Sequence, residues 1–276
     1  MAELPEIETL RRELEREVVG KKVKSVEVLD DGPLAEGIDG PGLVKRLEGA
    51  KVSGSKRRGL LLCLILDGAD MLVVDLSAGG ALRRAANKDE VAEGTSVIVT
   101  FTQGGQLRIS GVDGTRVFLA DEERLLSLHP ELTTLGADLF DQPLSWTNFA
   151  VMLRARRETL RSLLRDDSFV VGLGDIYADE ILHSALLRHD RTPDTLSAQE
   201  IRRLYRAIVE TIHDAVKHGG TSIESSPFVN LAGEPGGYQE YLGVYGRDGQ
   251  RSANGRTLVQ RAKVDGSWTY FTDYQV

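Results

Sequence analysis

VVGLGDIYADEILHSALL, residues 170–187, is the stretch on which the fold turns. Gly172 and Gly174 sit one residue apart ahead of apolar residues at helical spacing, which reads as a tight glycine turn entering a helix. The segment GLGDIYA looks like a dinucleotide-binding glycine pattern, but that motif needs a preceding strand in a βαβ unit and an acid about 20 residues later on a second strand. Here the glycines lie among helices. Two readings remain for them: backbone N–H groups brought close to a phosphate, or close packing between helices.

The helical character extends to both sides. From Leu144 the periodicity is helical, with Ser145 capping a segment that runs to Leu164. Ser197 with Glu200 three residues on forms a capping box for a helix that closes at Gly219-Gly220. Further upstream the pattern changes. Short apolar runs at 23–29, 50–66, 70–77, 95–101, 106–111 and 115–120 are divided by Asp-Gly and Gly-Gly breaks, which describes antiparallel strands in a sandwich or barrel. One helix interrupts them, GPGLVKRLEG at 40–49, with Pro41 at its start and Gly49 at its end. After Asn230, turn signals at GEPGG, GRDG and VDGS predict a small β-hairpin unit. The fold class expected is α+β in three parts, 1–130, 131–230 and 231–276.

Charge narrows the functions available. With 34 basic and 42 acidic residues the net charge is −8, so any polyanion site has to be a local patch rather than a whole face. The longest apolar run, Leu60 to Leu66, is too short to span a bilayer, and the acidic start lacks the basic opening of a signal peptide; a cytoplasmic protein is expected. Cys63 is the single cysteine and reads as core, so neither a disulfide nor a thiolate metal site can be built. The histidines are scattered without a close ligand pair, and no metal is expected; His183, His189, His213 and His218 read as surface or packing residues. Arg154, Arg156, Arg157, Arg161 and Arg165 read first as a solvated helix face, with a phosphate track as the alternative.

The chain opens MAELPEIETLRRELE, placing a small residue and an acid ahead of a helix whose apolar stripe is Ile7, Leu10, Leu14 and Val18 and whose stop is Gly20. Pro5 suits a first turn, and Glu3, Glu6 and Glu8 suit the positive end of the helix dipole. Taken in order with KRRGLLL, GLGDIYADEIL and the terminal YLGVYGRDG…GSWTYF, this start resembles the formamidopyrimidine-DNA glycosylase and endonuclease VIII family along the whole chain. The resemblance implies an N-terminal β-sandwich, a helix-two-turns-helix domain and a C-terminal finger that together clamp double-stranded DNA. It implies a monomer without a cofactor that flips out an oxidised base, cuts the glycosidic bond and nicks the strand. The implied nucleophile is the amine freed when Met1 is removed, here that of Ala2, with Glu3 as proton shuttle and Glu6 beside them. Implied DNA contacts fall on Arg58, Arg116, Gly172, Gly174, Asp175, Tyr238, Arg256 and Lys263.

The sequence departs from the family pattern at defined places. Ala2 replaces the usual proline, and Leu60 stands where an Arg-Gly-Lys strand motif has its lysine. Asp175 replaces a phosphate-binding asparagine, and Ala78 replaces the methionine that fills the gap left by the flipped base. Arg116 keeps the place of an intercalating arginine, but Val117 follows it instead of an aromatic residue. The finger's four cysteine positions fall on Ser252, Gly255, Thr272 and Gln275, and its phosphate-binding arginine on Ser267. A zincless finger cored by Trp268, Tyr270 and Phe271 is therefore expected, with Arg256 or Lys263 available for the lost contact. The loop that caps a flipped purine falls at 222–237. Three functions are compatible with this pattern: a DNA glycosylase with AP-lyase activity in base excision repair, a relative that binds DNA or damage without excision, and a scaffold reused for a non-DNA partner.

Overall fold

The first helix, α1 (Leu4–Glu17), buries the expected stripe: Ile7 is 0% exposed, Leu10 and Leu14 1% each, and Val18, just past its end, 2%. This is the computed structural model of the chain, and it describes residues 2–112, 114–142, 144–252, 255 and 257–276. They form two compact units, Met1–Thr133 with His218–Gly237 and Thr134–Lys217 with Tyr238–Val276.

In the first unit α1 is followed by β1 (Val23–Val28), α2 (Gly40–Leu47), β2 (Val52–Arg58), β3 (Leu61–Leu66), β4 (Met71–Asp75), β5 (Ala81–Ala85), β6 (Thr95–Phe101), β7 (Gln106–Ser110), β8 (Arg116–Ala120) and α3 (Glu122–Leu128). The strands make two antiparallel four-stranded sheets, ordered β1-β6-β7-β5 and β2-β3-β4-β8. Between them lies one core. The run LLCLIL serves two cores because strand side chains alternate. Leu62, Leu64 and Leu66 meet Val97, Val99, Leu107 and Ile109 between the sheets, whereas Leu61 and Cys63 meet Met71, Val73, Phe118 and Leu125 on the far face, under α3. Burial there pushes the Cys63 thiol up to about 12, so it is an inert packing group.

The run 50–66, read as one apolar stretch, is a hairpin. Arg58 pairs with Leu61 across a two-residue turn whose first central position, Gly59, has φ +59, the geometry a two-residue hairpin asks of a glycine. Helix α3 and strand β5 carry no strong periodic signal and escape the sequence reading. Leu125 is the sole buried residue of α3, which is held instead by the Asp121 side chain accepting the Arg124 N–H at 2.8 Å.

The second unit contains α4 (Trp146–Arg154), α5 (Leu160–Leu164), α6 (Asp175–Ala185), α7 (Ala198–Lys217) and the hairpin β9 (Gln260–Val264) with β10 (Ser267–Phe271). The expected helix from Leu144 to Leu164 is two helices, because Thr159 caps a new one by accepting the Ser162 N–H. Described strands after Asn230 are confined to β9 and β10. Asp179 of α6 fixes the hairpin: its carboxylate accepts the Thr269 hydroxyl and the Tyr270 N–H, each at 2.7 Å. Glu180 accepts the N–H groups of Gly243, Val244 and Tyr245 at 2.7, 2.9 and 2.8 Å, so one carboxylate orders the loop leading to the finger.

This division differs from the three parts read from the sequence. Residues 218–237 pack with the sandwich, since Phe228 and Leu231 enter its core and the Leu231 N–H donates to Glu13 at 2.9 Å. Residues 238–276 form one body with the helices instead of a separate domain. No helix among the described residues is long and apolar enough to cross a membrane.

Candidate functional site

The start of α1 is tied down where a chain end ordinarily frays. Glu3 is the N-cap and is 6% exposed; its N–H donates to Glu6 Oε2 at 2.9 Å within a capping box. The other oxygen of Glu6 accepts the Thr221 N–H at 2.7 Å. Gly220 next to it has φ +80, and a Cβ there would stand 2.8 Å from Glu6 Oε1, so a glycine is required for the approach. Glu6 thus joins the N-terminal residue Glu3 to Thr221 through its two oxygens. Ala2 lines a cavity of about 590 Å³ with Leu76, Ala78, Gly79, Gly80, Glu93 and Phe228 among its walls. Glu93 is the one charged residue among the described lining residues. A cavity of that volume has room for a flat heterocycle.

One turn further along, Glu8 joins α1 to β2. Burial works against its charge, but hydrogen bonds from Arg11, Arg57 and Arg12 overcome that penalty and hold its pKa at about 2. Arg57, 3% exposed, also donates to the Gly59 carbonyl at 3.0 Å and so braces the turn carrying Leu60. Leu60 packs against the sandwich core and brings no donor.

The expected cations of this unit are already paired. Arg58 and Lys56 both bind Glu122, whose carboxyl is held below its usual range by the Lys56 bond first, despite burial, and then by Arg58. Arg116 is paired with Glu36, and Val117 after it is 0% exposed in the core.

In the second unit Gly172 has φ +73 and its N–H donates to Asp167 at 2.7 Å, while Gly174 is the N-cap of α6 without a side-chain cap. Asp175 opens that helix. Its Oδ1 accepts from Arg161 Nη2 at 2.6 Å, Arg165 Nε at 2.9 Å and the Ser267 hydroxyl at 3.2 Å. Arg161 also donates to the Trp268 carbonyl at 3.0 Å and to Asp179 at 3.2 Å. Burial pushes the Asp179 carboxyl up, against the donors that favour its charged form. Arg161 is fully buried, so it is no part of a solvated helix face; its signal in the sequence was masked by four exposed-looking arginine neighbours.

Tyr238 is 7% exposed, packed on Tyr177 and Tyr241, and burial followed by the charges of Glu180 and Asp214 pushes its hydroxyl up; the exposed ring of that turn is Tyr241, 58% accessible. Lys263 is exposed on β9, and Arg256 lies outside the described residues. The four finger positions expected to lack zinc are closed by hydrogen bonds: Gly255 N–H to the Ser252 carbonyl at 2.7 Å, and Thr272 N–H to Gln275 Oε1 at 2.8 Å. Hydroxyl, amide and glycine at those places do not fit a zinc ion, which asks for thiolate, imidazole or carboxylate.

Comparison with known proteins agrees with this architecture. Residues 1–118 match the formamidopyrimidine-DNA glycosylase N-terminal domain, and residues 135–226 match the formamidopyrimidine-DNA glycosylase H2TH domain. The formamidopyrimidine-DNA glycosylase of Heliobacterium modesticaldum is 36% identical over 276 residues, covering 98% of each chain. That of Pelotomaculum thermopropionicum is 34% identical over 275 residues, covering 98% of this chain and 97% of its own. The Lactococcus lactis Fpg in complex with DNA containing an abasic site superimposes with a TM-score of 0.85 at 29% identity, covering 98% of both chains. The sandwich, the H2TH helices and the terminal hairpin define a scaffold of DNA glycosylases. The chain belongs to the formamidopyrimidine-DNA glycosylase family.

Proposed function

We propose that this protein is a DNA glycosylase with AP-lyase activity that acts on damaged or abasic double-stranded DNA, as a monomer in the cytoplasm or nucleoid. The observation that carries the reading is Ala2 on the wall of a half-open cavity, with the buried Glu3 next in the chain and Glu6 accepting the Glu3 N–H. After removal of Met1, the Ala2 amine has an ordinary pKa of about 7.7–8.0, so part of it is unprotonated near neutrality. Its lone pair forms a bond to C1′ of the sugar as the bond to the base breaks, and the base leaves carrying a proton. Glu3 delivers a proton to the ring oxygen, the ring opens, and the C1′–nitrogen bond becomes a protonated imine. That cation acidifies C2′, whose proton loss expels the 3′ phosphate. The primary amine of Ala2 gives an imine that works as an electron sink only while protonated, so strand cleavage is slower relative to base removal than with a secondary amine.

A second reading, binding without excision, is favoured by the intramolecular pairing of Arg58, Arg116 and the two arginines at Asp175, which leaves fewer cations for phosphates. Tyr238, being buried, supports its loop in either reading. Borohydride trapping on an abasic duplex tests both. An adduct formed by protein that starts at Ala2, and lost when the amine is blocked or in Glu3→Gln, is the expected result. Protein that binds the duplex and forms no adduct overturns the catalytic reading in favour of the second.

A further inference from the structure

The hairpin of β9 and β10 has two unlike faces. In its register Ser267 faces Val264, Thr269 faces Ala262 and Phe271 faces Gln260, and this side is turned inward, with Thr269 1% and Phe271 6% exposed. Trp268 faces Lys263 and Tyr270 faces Arg261 on the other side. There Trp268 is 45% exposed, Arg261 and Lys263 are exposed, and Tyr270 is half-buried with its ring edge-on to Tyr245 at 5.0 Å. Trp268 was expected to help core the finger; it stands outside the core instead.

The geometry points to a second nucleic-acid contact: we propose that the outer face of this hairpin binds an unpaired segment of DNA by stacking a base on Trp268 beside the cations of Arg261 and Lys263. Aromatic rings interleaved with cations are the surface that unpaired strands use, since every base has a π-face and every nucleotide a phosphate. Arg261 lies over the Trp268 ring with its guanidinium carbon 4.4 Å from the centroid, which orients the indole, and the ring keeps substantial exposure to solvent. Asp248 pairs with Arg261 at 3.2 Å, both half-exposed, and such a pair yields readily to a phosphate. Lys263 makes no ion pair among the described residues. Arg261 and Lys263 stand here beside Asp248, with Asp265 exposed in the turn, on a chain of net charge −8. The same rings in the H2TH-facing side would be inaccessible, so the alternation of the strand decides that these two residues meet solvent. The proposal rests on DNA being the partner, and it adds a site for bases that are not paired, such as the strand opposite or beside an opened lesion.

The test uses the full chain and the unstructured oligonucleotide dT12. In a Trp146→Phe background Trp268 is the single tryptophan, excited selectively over the tyrosines, and dT12 is expected to quench it in a saturable, salt-dependent way. Trp268→Ala is expected to weaken dT12 binding roughly tenfold, Trp268→Phe to keep part of it, and Lys263→Ala to lower the salt slope by about 0.7. Affinity for a blunt, intact duplex is expected to stay within twofold in Trp268→Ala. No quenching, or unchanged dT12 affinity in Trp268→Ala, overturns the proposal, and so does an equal loss on intact duplex, which would make the face a duplex contact. Borohydride trapping of the same variants on an abasic duplex reads the catalytic proposal separately: an adduct that still forms while the dT12 result is negative removes this inference alone.

Discussion

Asp175→Asn probes the charge at the start of α6. In the native protein this carboxylate accepts from Arg161 at 2.6 Å, Arg165 at 2.9 Å and the Ser267 hydroxyl at 3.2 Å, at a helix N-terminus that carries partial positive charge. An anion is therefore already seated where the helix and two guanidinium groups would otherwise receive a phosphate. The amide keeps an acceptor for one of them and removes the negative charge. Arg161 retains Asp179 and the Trp268 carbonyl, so the fold loses about 1–2 kcal/mol, short of the larger cost of stranding a buried cation. Arg165, 31% exposed, is released toward solvent. A charge-assisted contact from it to a phosphate is worth about 1.5 kcal/mol at this exposure, or roughly tenfold in affinity. Fluorescence anisotropy on a duplex carrying a stable abasic analogue, from about 50 to 200 mM salt, is the assay. Tighter binding with a salt slope steeper by about 0.9 is the expected outcome. Equal or weaker binding with an unchanged slope, in a variant that melts as a folded protein, would refute the view of Asp175 as an internal occupant of an anion seat.

Three other measurements follow from the same structure. A carboxyl whose pKa falls from 4.5 to about 2 on folding stabilises the native state by about 3 kcal/mol above pH 4.5, and that contribution disappears between pH 4.5 and 2. Glu8→Gln should therefore flatten the acid limb of the stability curve in that window, and an unchanged limb removes the Glu8–arginine cluster as its cause. Gly220→Ala forces a Cβ to within 2.8 Å of Glu6 at φ +80, and should lower the borohydride adduct yield several-fold while leaving duplex affinity within twofold; parallel losses would mean general unfolding. Gln275→Ala removes the acceptor of the Thr272 N–H and the donor to the Leu187 carbonyl at 2.9 Å, both buried. It should cost about 2–3 kcal/mol by thermal unfolding, and a cost below about 0.5 kcal/mol would show that these bonds do not hold the finger.

Much of the architecture was legible because its signals are local. The stripe Ile7, Leu10, Leu14 needs no partner to be recognised as a helix face, and the same holds for Ser197 with Glu200 ahead of α7 and for the glycine turn ahead of α6. The elements that escaped, α3 and β5, owe their structure to neighbours: α3 to the far-face core beneath Phe118, and β5 to its pairing with β7. Residue order alone also divided 218–237 between the helical part and the finger at residue 230, although its Phe228 and Leu231 are both committed to the sandwich core.

The candidate site divides the same way. By itself the sequence determined which groups are available: the small Ala2, the acid Glu3, a finger without thiols, an aspartate at the head of α6 and a leucine at position 60, since these are matters of chemistry at a fixed place in the chain. Tertiary structure alone decided which of those groups are spoken for. Arg58 and Arg116 meet acids at positions 122 and 36, and Arg161 is drawn inside between Asp175 and Asp179. Tyr238 is covered, and Trp268 is left in solvent. The physical reason is that a group already satisfied by a nearer partner must give that partner up to bind a ligand, at small cost where the pair is exposed and at large cost where it is buried, and nearness between residues far apart in the chain is set by packing.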